Sequence, residues 1–158
     1  MTRFDKGDLL RHESVALVNA ANCMSVRGRG IALRFRPAFP DNDRAYREAC
    51  KAGVVQSSRL FVFELAASGR PCWIVNFPTK RHWRQKSRIE EIGSGLIDLV
   101  RVIQETGAQS MALPPLGCGF GGLDWDFVRP LIPGALAEVP LVDAVIFEPG
   151  ATPPAATA

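Results

Sequence analysis

Two stretches of this 158-residue chain have residue types and spacing suited to holding an anion. The first runs from residues 15–19 (VALVN) through a small-residue loop, NAANCMSVRGRG, into residues 31–35 (IALRF). The second runs from residues 110–115 (SMALPP) through LGCGFGG towards residues 124–138. Each reads as strand, glycine-rich loop, helix. Such loops present backbone N–H groups at helix N-termini, where phosphate is favoured. Two of them at strand ends could grip a diphosphate from both sides, at the sheet edge where open α/β folds place ligands. The sequence GCGFGG is neither the dinucleotide fingerprint G-x-G-x-x-G nor a phosphate loop ending in Gly-Lys-Ser/Thr. Asn19 and Asn22 stand between the first strand and its loop. Two basic runs lie beside these loops: Arg27, Arg29, Arg34 and Arg36, and then Lys80, Arg81, Arg84, Lys86 and Arg88 with His82 and Trp83 among them. A charge run is most often a solvated face. Two of them beside candidate sites favour a polyanionic partner.

The elements that must position these loops are legible in outline. Residues 15–19 form a buried strand, 31–39 a helix ending before Pro40, and 42–51 a second helix with Asp41 as its cap and Gly53 as its stop. Residues 59–65 (RLFVFEL) and 72–77 (CWIVNF) are strand-like and are separated by a turn, so they pair as a hairpin. Ile89, Ile92, Leu96, Leu99, Val100 and Ile103 recur at helical spacing, with Ser87 as the cap and Gly107 as the end. A strand over 110–113, a helix starting near Val128 with Pro130 and Pro133 in its early turns, and a last strand over 143–147 complete the pattern. Strands alternating with helices predict an α/β fold with a mixed sheet.

Bulk properties set the frame. Apolar residues make up 47% of the chain and charged residues 22%, enough for one core and against disorder. No apolar run approaches the length of a membrane span, and the first eight residues are polar and charged, so a cytoplasmic protein is expected. The four cysteines form no Cys-x-x-Cys pair and only two histidines accompany them. The expectation is reduced, mostly buried thiols and no metal site. Residues 150–158 read as an Ala/Pro-rich tail or the start of a linker, leaving 1–149 as one domain.

The motifs GDLL (7–10), VNAANC (18–23), GRGIALRF (28–35), NFPTKRHW (76–83) and PPLGCGFGGLDW (114–125) make the chain resemble the macrodomain family, and within it the DarG-type antitoxins. The resemblance covers about residues 3–149. It implies a three-layer α/β/α fold with a central mixed β-sheet, and no cofactor. It also implies binding of ADP-ribose, with removal of that group from thymidine in single-stranded DNA, and so reversal of a DarT-like toxin by a monomeric protein. Residue by residue, it assigns Asp8 and Leu9 to the adenine end, with Phe147 as the nearby aromatic. Gly30, Ile31 and Ala32 match the first phosphate loop. Gly117, Cys118, Gly119, Phe120 and Gly121 match the second. Asn22 matches the asparagine at the distal ribose, and Lys80 the catalytic lysine, which as a neutral amine acts as base or nucleophile and when protonated stabilises negative charge. Arg81, His82 and Trp83 would contact DNA by phosphate pairing and base stacking.

Two departures from the family pattern bear on mechanism. A related glycohydrolase carries an aspartate where this chain has Gly121, so a lysine adduct is not implied here. Ser25 and Arg27 replace residues that are commonly glycine and methionine in DarG relatives. For several positions the residues alone allow a structural role: Asp8 as a turn or cap, Phe147 as core, Asp124 as a helix start, and Trp73 and Trp125 as packing. Three other functions stay open at this level: an ADP-ribose reader without turnover, an enzyme acting on ADP-ribosylated protein carboxylates or acylated ADP-ribose, and a domain that neutralises a toxin by contact.

Overall fold

A computed structural model of the chain describes residues 1–22, 31–56, 59–65, 69–80, 86–118 and 122–149, with the side chains of Asn22, Ala32, Leu33 and Lys80 excepted. Six strands form one sheet: β1 (Thr2–Asp5), β2 (Ala16–Asn22), β3 (Phe61–Glu64), β4 (Trp73–Lys80), β5 (Ser110–Leu113) and β6 (Asp143–Phe147). Their order is β1-β6-β5-β2-β4-β3. All neighbours are parallel except β3, which runs antiparallel to β4 at one edge. Among the described residues, five α-helices accompany them: α1 (Ile31–Ala38), α2 (Pro40–Lys51), α3 (Ile89–Thr106), α4 (Trp125–Val128) and α5 (Leu131–Leu136).

Alternation along the strands divides the core in two, as a period of two requires. Val18, Val75, Phe77, Met111, Leu113, Ala144 and Ile146 face one layer with Ile92, Leu96 and Leu99 of α3 and Val128, Ile132 and Leu136 of α4 and α5. Leu17, Ile74, Ala112, Val145 and Phe147 face the other, with Leu9 and with Phe35 of α1. The result is the expected three-layer α/β/α arrangement around a mixed sheet.

The strands 110–113 and 143–147 form as the sequence predicts, the segments around 59–65 and 72–77 pair antiparallel, and Gly107 ends α3 in the left-handed conformation at φ 69°. Four details differ. Strand β2 continues past Asn19 to Asn22, because β4 supplies pairing partners that far. Phe39 precedes the first turn of α2, with Pro40 opening the helix and Asp41 inside it. Arg88, not Ser87, occupies the cap position of α3; Ser87 is buried and its hydroxyl has no partner among the described residues. The helix expected near Val128 is two short ones on either side of Pro130, which has no N–H to continue the first. Strand β1, which no local sequence pattern announces, is a four-residue edge strand with alternating exposure. It is held by pairing with β6 and by Phe4, which packs edge-on to Trp125 and beneath the Arg129 guanidinium.

Helix α3 approaches β4 closely. A Cβ at Gly95 would fall against the ring of Phe77, which is fully buried. Asp98 on the same helix accepts from the Leu60 N–H at 2.8 Å and from Arg101 at 2.6 and 3.0 Å. Burial works against its ionisation, but these donors hold its carboxyl below the usual range. Gly95→Ala should therefore lower stability by about 1–3 kcal/mol through overpacking, despite the helical preference of alanine. Gly93→Ala, where a Cβ meets open space, should gain up to about 1 kcal/mol. Thermal denaturation of the two variants side by side checks both signs.

Candidate functional site

Because β1, β6, β5, β2 and β4 are parallel, their C-terminal ends lie along one edge of the sheet, and strand order sets the order of the loops they lead into. Asp8 comes just after β1, Phe147 ends β6, Gly117 and Cys118 come after β5, Asn22 ends β2 and Lys80 ends β4. Residues far apart in the chain thus stand in a line. Strand spacing of ~4.8 Å sets β1 and β4 about 19 Å apart across it.

At the β1 end, Asp8 caps the 3₁₀ turn Leu9–Arg11, its Oδ1 accepting from the Leu10 N–H at 3.1 Å. Its Oδ2 accepts from Arg34 Nη2 on α1 at 2.7 Å, with Arg11 Nε 3.6 Å away. The Arg34 hydrogen bond, aided by the Leu10 N–H and the positive charges and opposed by partial burial, holds the Asp8 carboxyl below its ordinary range. Leu9 is buried beneath this turn, and Phe147 packs with it in the same core cluster. The Phe147 ring meets His12 edge-on at 5.9 Å, and His12 Nδ1 shares a 2.6 Å hydrogen bond with Ser14 Oγ. Asp8 and Phe147 have the structural roles the sequence allows for them: Asp8 is a cap and Phe147 is core.

In the middle of the line, Gly117 turns at φ 76°, where a Cβ would meet Leu123 Cδ1 at 2.6 Å and Ile92 Cδ1 at 3.1 Å. The Leu123 N–H donates to the Gly117 carbonyl at 3.0 Å, and Cys118 and Leu123 form a β-bridge. The loop is therefore pinched shut at its base. Asp124 caps α4 by accepting from the Asp126 N–H, the helix-start role expected of it. Burial, with the nearby Asp124 charge, pushes the Cys118 thiol up to about 11, so it stays neutral near neutral pH. Cys50, Cys72 and Cys118 are free and half-buried rather than mostly buried. Ile31 opens α1, partly buried against the second core cluster, and the first N–H groups of a helix have no partner within it.

At the β4 end, Asn22 and Lys80 are register partners on adjacent strands. Three residues earlier, Asn19 Nδ2 donates to Asn76 Oδ1 at 3.1 Å; Asn42 of α2 exchanges bonds with the same Asn76, which also donates to the Phe61 carbonyl. All three amides are buried. Sequence reasoning does not single out Asn76, Asn42, Thr79 or the pairing of Arg34 with Asp8. A polar Asn76 inside the apolar run WIVNF is the signal that could have found the network, since a buried amide demands partners. Gly30, Gly119, Phe120, Gly121, Arg81, His82 and Trp83 lie outside the described residues. Among the described residues, no group of His, Cys, Asp and Glu could hold a metal ion, and no helix is long and apolar enough to cross a membrane.

A mixed sheet between two helical layers, with its loops gathered along one edge, is the architecture of a macrodomain among other α/β folds, and the chain belongs to the Macro domain family, whose model matches residues 18–132. The DNA ADP-ribosyl glycohydrolase of Mycobacterium tuberculosis is 48% identical over 149 residues, 94% of this chain and 42% of that protein. The chain thus spans less than half the length of that relative. Among solved structures, the macrodomain of M. tuberculosis DarG superposes with a TM-score of 0.93 at 47% identity, covering 95% of this chain and 99% of that one. Thermosipho africanus DarTG in complex with ADP-ribose superposes with a TM-score of 0.87 at 30% identity, covering 97% of this chain and 43% of that one.

The Arg34–Asp8 pair gives a titration test. The folded carboxyl is depressed, so its contribution to stability is present above the ordinary value of 3.8 and lost as pH falls through the lowered one. In Arg34→Ala the Asp8 titration, followed by NMR, should move up towards 3.8. An unmoved titration would leave the Leu10 N–H and the Arg11 charge as the causes.

Proposed function

We propose that the chain is an ADP-ribosyl glycohydrolase domain that removes ADP-ribose from thymidine bases in single-stranded DNA, reversing a DarT-type toxin in the cytoplasm. The observation that carries this is the pairing of Asn22 with Lys80 at the end of a line that begins at Asp8 and passes the Gly117 loop. Identity of 48% to a protein named a DNA ADP-ribosyl glycohydrolase supports the reaction and the substrate. The ADP-ribose complex of the Thermosipho relative supports the ligand.

In this reading the adenine lies at the Asp8–Leu9 turn beside Phe147, with its amino group donating to the Asp8 carboxylate. Backbone N–H groups of Gly30, Ile31 and Ala32 and of the loop Gly117, Cys118, Gly119, Phe120 and Gly121 hold the diphosphate from two sides. The distal ribose then reaches Asn22 and Lys80. Water attacks the ribose carbon that carries the base, the glycosidic bond breaks, and the base departs with its electron pair and takes up a proton. An amide at Asn22 binds ribose hydroxyls or orients the water. Lys80 handles the proton or the developing negative charge. The cluster Arg81, His82 and Trp83 comes directly after Lys80 and suits phosphates and a stacked base. Arg34 and the Leu10 N–H favour the anionic form of the Asp8 carboxyl, the form that accepts from an adenine amino group.

Two measurements test this. The wild type should release ADP-ribose from a single-stranded oligonucleotide carrying ADP-ribosylated thymidine and Lys80→Ala should not, while both bind ADP-ribose. Binding without release by the wild type would make the domain a reader, and full release by Lys80→Ala would remove the lysine from the mechanism. Asp8→Ala should weaken ADP-ribose by about 1.5–3 kcal/mol, the range for a hydrogen bond to a charged group. Unchanged affinity in calorimetry would overturn the adenine assignment.

A further inference from the structure

The register between β2 and β4 is regular from Ala16↔Trp73 to Ala21↔Pro78 and then slips, so that Asn22 pairs with Lys80 and Thr79 has no partner across the strands. An extra residue of this kind is a β-bulge, a device uncommon between parallel strands and recurrent beside active sites, where it re-aims a side chain. The slip is confined to this point. The buried hydrogen bond from Asn19 to Asn76 pins the register three residues before it, and Asn42 and the Phe61 carbonyl hold Asn76 from two further elements. The extra residue must therefore be absorbed between Asn76 and Lys80. Pro78 in that interval has no N–H to give to the ladder. Thr79 is buried, and its Oγ1 donates to the Ala21 carbonyl at 3.1 Å, across the gap.

We infer that Thr79 is a positioning residue: its hydroxyl closes the bulge and so sets Lys80, rather than residue 79, level with Asn22. The inference rests on the reading of Asn22 and Lys80 as the reacting pair. Threonine suits the place on two counts. It tolerates extended backbone, and its hydroxyl donates to a carbonyl across the gap, which valine, of the same shape, cannot do. The consequence falls on geometry at the distal ribose, not on binding of the adenine or the diphosphate, which are held by other elements.

The test compares Thr79→Val and Thr79→Ser with the wild type and Lys80→Ala on the ADP-ribosylated oligonucleotide, with ADP-ribose affinity measured separately. Thr79→Val should lower kcat by roughly 10- to 100-fold, the scale of a misplaced reacting group, with KM and ADP-ribose affinity nearly unchanged. Thr79→Ser, which keeps the hydroxyl, should restore most of kcat. Thr79→Ala carries the same expectation as the valine variant should that one not fold. Wild-type kcat in Thr79→Val beside an inactive Lys80→Ala would overturn the positioning role and leave the reacting pair intact. Parallel losses of kcat and ADP-ribose affinity, with no rescue by serine, would mark general damage and overturn it as well. Full turnover by Lys80→Ala would overturn the reading and the inference with it.

Discussion

The parallel pairing of β2 with β4 is the constraint on which the rest of the site depends. It brings together two segments more than fifty residues apart in the sequence and ends them side by side at the sheet edge. Burial fixes that register strongly: a one-residue slip along the whole strand would turn Val18, Val75 and Phe77 out of one core layer and Leu17 and Ile74 out of the other. The buried amides add a directional condition that apolar packing lacks. Asn76 is satisfied only when Asn19, Asn42 and the Phe61 carbonyl are all in place. Strands β2, β3 and β4 and helix α2 are thereby tied to one another directly beneath the edge that carries Asn22 and Lys80.

The opposite end of the line is held by charge. Asp8 joins the turn after β1 to helix α1 through Arg34, linking a segment at the sheet's rim to the helix that opens after the first glycine loop. Its side chain is 26% exposed and that of Arg34 24%, so the pair is screened less than a surface pair would be. The middle of the line is held by sterics and backbone pairing, with Gly117 packed against Leu123 and Ile92. Three kinds of force thus fix three stations along one edge.

Much of this is legible in the sequence. Period-two and period-3.6 patterns locate the central strands and α3, because burial on both sheet faces leaves long apolar signatures in β2, β4, β5 and β6. The two loops are recognisable from glycine spacing between a strand and a helix. The features that escape are short, polar or dependent on a distant partner. Strand β1 has four residues, two of them charged, and exists only through pairing with β6. The polar Asn19 at the end of the run VALVN suggests an end to β2 there, and only the partner strand shows that pairing continues. Pro130 fits inside one helix on sequence grounds but separates two, since a proline suits a first turn as well as a break. At the site, motif resemblance points to Asp8 and Lys80. The Arg34 contact, the Asn76 network and the bulge at Thr79 are tertiary facts with no local periodicity to announce them.

The contact between Gly95 and Phe77 has an evolutionary corollary. Helix α3 lies so near β4 that the two positions share one volume, and neither can be exchanged alone without penalty. A larger residue at 95 becomes admissible only alongside a smaller one at 77, and shrinking 77 alone opens a cavity beneath the strand that ends in Lys80. Across descendants of this sequence the two sites are bound to drift as a coupled pair, each substitution permissive for the other, while neighbouring exposed positions such as Ile97 vary independently.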